Sequence, residues 1–72
     1  IFLNPTSDIL FIKGINPIQS VSIFNSLGQL ESNYKGQNLA QVNTSNLKKG
    51  IYFVKVIDSN YHSDTFKIML SK

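Results

Sequence analysis

The sequence predicts an all-β chain, and three observations carry that prediction. No window repeats apolar residues at i, i+3, i+4 and i+7, as an amphipathic helix requires. β-Branched and aromatic residues instead gather in short runs bounded by Gly, Pro, Asn, Asp and Ser. The clearest run, Ile51-Tyr52-Phe53-Val54-Lys55-Val56, follows Gly50 directly, so the chain turns and then extends. Its near-continuous apolar character predicts a central strand with protein against both faces.

In chain order, Ile1-Phe2-Leu3 is a short apolar run halted by Asn4-Pro5-Thr6-Ser7-Asp8. Proline donates nothing to a ladder and extends the residue before it, so a bend at a sheet edge is expected there. Ile9 to Lys13 is the next strand, ended by Gly14 and by Asn16-Pro17. Ile18 to Asn25 alternates, with Val21 and Ile23 on one face and Ser20 and Ser22 on the other. Asn25-Ser26-Leu27-Gly28 reads as a hairpin loop with its glycine in the left-handed region. Gln29 to Lys35 is the partner strand, and its polarity predicts a sheet edge.

Gly36-Gln37-Asn38 turns the chain into a short strand from Leu39 to Val42. Asn43-Thr44-Ser45-Asn46 is a loop, Leu47 a buried anchor, and Lys48-Lys49-Gly50 the turn into the central strand. Asp58-Ser59-Asn60 makes the last hairpin, and Tyr61 to Leu70 closes the chain. There Phe66, Ile68 and Leu70 share one face, and Lys67 and Met69 the other. About seven short strands, with turns every eight to twelve residues or so, predict an immunoglobulin-like antiparallel β-sandwich. A small SH3-like or OB-type barrel is the competing architecture.

The 72 residues read as a single domain, near the lower size at which a core folds unaided. Such a core supplies about 3–5 kcal/mol. There is no cysteine, so neither a disulfide nor a thiolate metal site adds to it. The chain shows no basic segment followed by an apolar stretch, so it reads as a piece of a longer protein whose targeting signal lies elsewhere. No apolar run approaches the roughly 20 residues of a membrane helix, and no membrane insertion is expected.

The net charge of +3 rests on lysines alone, at positions 13, 35, 48, 49, 55, 67 and 72. Arginine, which grips phosphate and guanine with a two-pronged fork, is absent, and the lysines are dispersed apart from Lys48-Lys49. Nucleic acid is therefore not an expected partner. Lysines scattered over strands serve better to keep sheet edges from associating.

Chemistry is sparse. His62 stands alone in the last hairpin, where a triad or zinc site would need partners. The carboxylates Asp8, Glu31, Asp58 and Asp64 are isolated; Asp8 and Asp58 occupy turns, where a short acid bonds nearby backbone. Their convergence on a calcium ion would need an oxygen-rich loop that the sequence lacks. Asn43-Thr44-Ser45 matches an N-glycosylation triplet and reads as a loop. Tyr34, Tyr52 and Tyr61, with Phe24 and Phe53, could form a sugar-stacking platform, but a core this small uses about that many aromatics. No catalytic residue, metal ligand or cofactor is expected.

Several segments, in order along the chain, resemble one family. Leu3-Asn4-Pro5-Thr6-Ser7-Asp8 with Ile9-Leu10 resembles the "PNP-x-x-D-x-L" opening of the type IX secretion system C-terminal sorting domain, type A, also called the Por secretion system sorting domain. Val21-Ser22-Ile23-Phe24-Asn25 with Gly28-Gln29 is similar to its "V-x-I-Y-D-x-x-G-K". Leu47-Lys48-Lys49-Gly50-Ile51-Tyr52-Phe53-Val54-Lys55-Val56 is similar to "L-x-x-G-I-Y-F-V-K-I", and Thr65-Phe66-Lys67-Ile68 to the closing "T-x-K-[FIL]". Leu3 replaces a frequent proline, Phe24 a tyrosine, and Leu70 a second lysine, with Lys72 two positions on.

The resemblance implies a non-catalytic sorting signal at the C-terminus of cargo proteins of certain Gram-negative bacteria. It implies Sec export, folding in the periplasm, and passage through the type IX outer-membrane translocon with its shuttle proteins to the cell surface or beyond. A sortase-like surface peptidase then removes the domain, with the cut expected before Ile1. Thr65, Phe66, Lys67, Ile68, Met69, Leu70 and Lys72 are the expected recognition segment, centred on Lys67 to Leu70, with Lys67 and Lys72 fixing register. Phe66, Ile68 and Leu70 read equally well as core. Asn4, Pro5, Asp8, Gly28, Leu47, Gly50 and Tyr52 are motif positions expected to be structural. The alternative is an immunoglobulin-like carbohydrate-binding or spacer module of a secreted glycosidase. A weak homodimer through an open strand edge is a further expectation.

Overall fold

The computed structural model describes the backbone of residues 2–5 and 8–71, and the side chains of residues 8–71. Among these residues the strands are β1 (Phe2–Pro5), β2 (Ile9–Lys13), β3 (Ile18–Asn25), β4 (Leu30–Lys35), β5 (Gln41–Asn43), β6 (Gly50–Asp58) and β7 (Ser63–Leu70). They form two sheets, a three-stranded one in the order β1-β2-β5 and a four-stranded one in the order β4-β3-β6-β7. Every ladder is antiparallel. Two separate sheets facing one another make a sandwich, not a closed barrel.

Alternation puts the core between them. Leu10, Ile12 and Val42 come from the smaller sheet, and Val21, Ile23, Val54, Val56, Ile68 and Leu70 from the larger. Ile18, Leu47 and Tyr52 close its margins, with Tyr34, Leu39 and Phe66 packed partly against it. One main-chain bond, from Leu39 N to Ile18 O at 2.8 Å, ties the approach to β5 onto β3.

The turns follow their chemistry. Gly28 has φ +84°, and its N–H donates to Asn25 O at 3.0 Å, closing the β3–β4 hairpin. Asn25 then does more than the sequence reading assigned to it. Its Oδ1 accepts from Leu27 N and Gln29 N, while its Nδ2 donates to Gln29 Oε1 and Glu31 Oε2. Gly50 opens β6 at φ +149°, a conformation that side chains rarely adopt.

Three expectations need correcting. The bend expected at Asn4-Pro5 is strand: β1 runs through both residues, which pair with Phe11 and Leu10. Proline is tolerated because β1 is an edge of its sheet. The short strand expected at Leu39 to Val42 forms later, at Gln41–Asn43. The third concerns β6, which is central but not covered on both faces. Tyr52, Val54, Val56 and Asp58 are buried, whereas Ile51 and Lys55 are exposed and Phe53 and Ile57 only half covered. Its apolar outward residues are those that made it read as enclosed.

Candidate functional site

The closing hairpin positions the expected recognition segment. β7 pairs with β6 along its whole length, from Ile57 opposite Ser63 to Gly50 opposite Leu70. It pairs with nothing else among the described residues, so it is an edge of the four-stranded sheet. β1 passes beside it where the two sheets meet, without a ladder between them.

The pleat divides the segment in two. Ile68 and Leu70 are 7 % and 2 % exposed and lie in the core, with Phe66 half buried beside them. Thr65, Lys67 and Met69 point the other way, and Met69 is 66 % exposed. Lys67 lies opposite Phe53, and Met69 opposite Ile51. Thr65, Lys67 and Met69 thus form the outward row of β7, while Ile68 and Leu70 hold the strand from the core side. Lys72 lies outside the described residues.

The motif residues do structural work where their side chains are described. Leu47 is buried, and its N–H donates to Thr44 O at 3.0 Å. Tyr52 is buried, and its hydroxyl donates to Lys48 O at 2.7 Å. That bond pins the loop before Gly50 against the core. The Asp8 carbonyl accepts from Thr44 N at 2.8 Å, joining the start of β2 to the end of β5. Asn4 and Pro5 take part through their backbone in β1, and their side chains lie outside the described residues.

At the turn between β6 and β7, Asp58 is buried and gathers donors. Its Oδ1 accepts from Asn60 N at 2.9 Å and His62 N at 3.0 Å, and its Oδ2 from Asn16 Nδ2 at 3.4 Å. His62 Nδ1 stands 3.4 Å from the same Oδ2. Burial pushes the Asp58 carboxyl up, but these hydrogen bonds and the nearby His62 outweigh it and hold the carboxyl below its ordinary value. Tyr61, in this turn, takes φ +63°, which bulky residues enter at a cost. A capping role for Asp58 was legible in sequence; the long-range bond from Asn16 was not.

The alternative chemistries gain no geometry. Tyr34 and Tyr52 turn inward, their hydroxyls bonded to Asn43 O and Lys48 O, and Tyr61 sits apart in the last turn. The three tyrosines therefore make no common platform. Among the described residues, no group of three His, Asp or Glu side chains gathers where a metal could sit.

Comparison with known proteins gives a family match. The family model for the secretion system C-terminal sorting domain matches residues 1–71. No curated protein and no solved structure gave a match. A match over nearly the whole chain, in a two-sheet antiparallel domain, leaves one conclusion: the chain belongs to the secretion system C-terminal sorting domain family, the sorting signals of type IX secretion.

Proposed function

We propose that this sorting signal is read through β7. The family supplies the role, export to the cell surface or extracellular space by the type IX machinery. The edge position of β7 is the observation that carries the finer reading. An edge strand presents a row of N–H and C=O groups that an incoming strand can pair with. Thr65, Lys67 and Met69 give that edge a side-chain identity, and the Lys67 ammonium fixes register by charge. Lys72 adds a second charge. The readers are the type IX translocon and its shuttle proteins, met during periplasmic transit. A sortase-like surface peptidase then cuts before Ile1 and removes the domain. The same open edge lets two copies associate weakly at high concentration, which a size-exclusion series would detect.

Lys67→Ala tests the reading in the full-length secreted protein, with the exported fraction and a thermal melt measured together. Export should fall about tenfold, the equivalent of roughly 1.4 kcal/mol of binding, with the melting temperature unchanged. Normal export from an intact fold would show that Lys67 takes no part.

A further inference from the structure

The outer face of the four-stranded sheet changes character along its length. Side chains of paired residues share a face, so the register gives its rows directly. Lys35, Ser20, Ile57 and Ser63 form one row, and Asn33, Ser22, Lys55 and Thr65 the next. Both are mainly polar, as a solvated sheet face should be; Asn33 Nδ2 donates to Ser22 Oγ at 2.7 Å. The third row reads Phe24, Phe53 and Lys67, with Leu30 opposite Phe24 across a register shift that skips Glu31, and beyond it Ile51 faces Met69. Leu30 is 56 % exposed and Ile51 40 %. Five apolar side chains therefore adjoin one another across all four strands at one end of an open face.

Charge indicates what covers them. Lys35, Lys55 and Lys67 all belong to this face, and among the described residues none is paired with a carboxylate. Glu31, four residues before Lys35, is engaged by Asn25 Nδ2 at 2.9 Å, and Asp58, three after Lys55, is buried. Asp64 lies opposite Val56, in register with the inner face. A second copy docked face to face would bring lysines against lysines, which costs energy. An apolar centre flanked by unpaired ammonium groups fits the opposite pattern.

We infer that the end of this face formed by Phe24, Leu30, Ile51, Phe53 and Met69, with Lys55 and Lys67, docks a protein surface whose apolar centre is flanked by Asp or Glu. The inference rests on the sorting role and extends it. The partner meets the β7 edge and the sheet face together, through Met69 and Lys67, which belong to both. Side-chain burial on the face supplies affinity, and the lysines exclude partners lacking carboxylates.

The test uses the full-length secreted protein in a bacterium with type IX machinery. Benzoylphenylalanine is placed at Met69, at Leu30 and, as a control off this face, at Leu27 in the β3–β4 loop. Positions 69 and 30 should crosslink to one and the same protein, through a segment carrying Asp or Glu beside apolar residues, and position 27 should not. Lys55→Glu with Lys67→Glu should cut that adduct about tenfold, and reversing the partner's carboxylates to lysine should restore it. Should the double reversal impair folding, Lys55→Gln with Lys67→Gln makes the same test. Adducts only to a second copy, or no adduct from either face position, would overturn the inference. So would a purified domain that floats with vesicles of phosphatidylglycerol but not of phosphatidylcholine and loses that binding in the lysine variants, since the partner would then be a lipid surface. The sorting role is scored separately, by whether the unaltered domain drives export. Export at the normal level with both lysines reversed sinks the docking face and leaves the sorting role standing.

Discussion

Replacing Ile68 and Lys67 separately by alanine divides packing from recognition on one strand. Ile68 lies in the core opposite Tyr52, so Ile68→Ala removes buried methylenes and leaves a cavity, costing about 2–5 kcal/mol. A core of this size supplies about 3–5 kcal/mol in all. With about 4 kcal/mol to begin with and about 3 lost, about 1 remains, which leaves roughly one molecule in six unfolded. Lys67 points to solvent, and Lys67→Ala should change stability by no more than about 0.5 kcal/mol. Urea titration followed by far-ultraviolet circular dichroism and tyrosine fluorescence reads both variants, as the chain has three tyrosines and no tryptophan. The denaturation midpoint should drop steeply for Ile68→Ala and stay in place for Lys67→Ala, with Ile68→Val between them. Equal losses from the two alanine variants would refute the assignment of inward and outward faces on β7.

Three further outcomes follow from the turns and the core. Gly28→Ala places a side chain at φ +84°, where nothing crowds it but the backbone itself is strained; a loss of about 1 kcal/mol is expected in the same titration. Tyr52→Phe removes the donor to Lys48 O, at a cost of about 1 kcal/mol or somewhat more because the carbonyl loses its partner. Asp58 sets the acid limit of the hairpin. Its carboxyl is held below the ordinary value in the folded state, so it stabilises fully above the unfolded value and progressively less as pH falls through the folded one. The parent protein should therefore lose thermal stability on acidification below about pH 4, and Asp58→Asn should flatten that fall. An unchanged acid profile in Asp58→Asn would remove Asp58 from this role.

Strand positions were legible because the pattern was local. β2 and β3 lie at their expected bounds, Leu47 is buried, and Gly28 and Gly50 take positive φ where turn chemistry asked for it. The edge status of β4 could be read from its polarity. Pro5 misled because a proline on an edge strand looks like a strand breaker until the pairing is known. β6 misled for a deeper reason. A run of apolar residues has the same appearance whether its second face meets the same chain or another protein, and only the sheet order shows that the face is open. Alternation along β7 already set Ile68 and Leu70 apart from Lys67 and Met69, and the structure places the first pair in the core and the second pair outside. The Asn16–Asp58 bond joins residues 42 positions apart, beyond the reach of any local pattern.

The most direct measurement is the exported fraction of a carrier bearing a Sec signal peptide, expressed in a type IX-competent bacterium with and without residues 1–72 at its C-terminus. With the domain attached, the carrier should reach the medium or the cell surface. Without it, or with Lys67→Ala in a domain that still melts normally, it should stay in the periplasm. Equal export with and without the domain would contradict the sorting role itself.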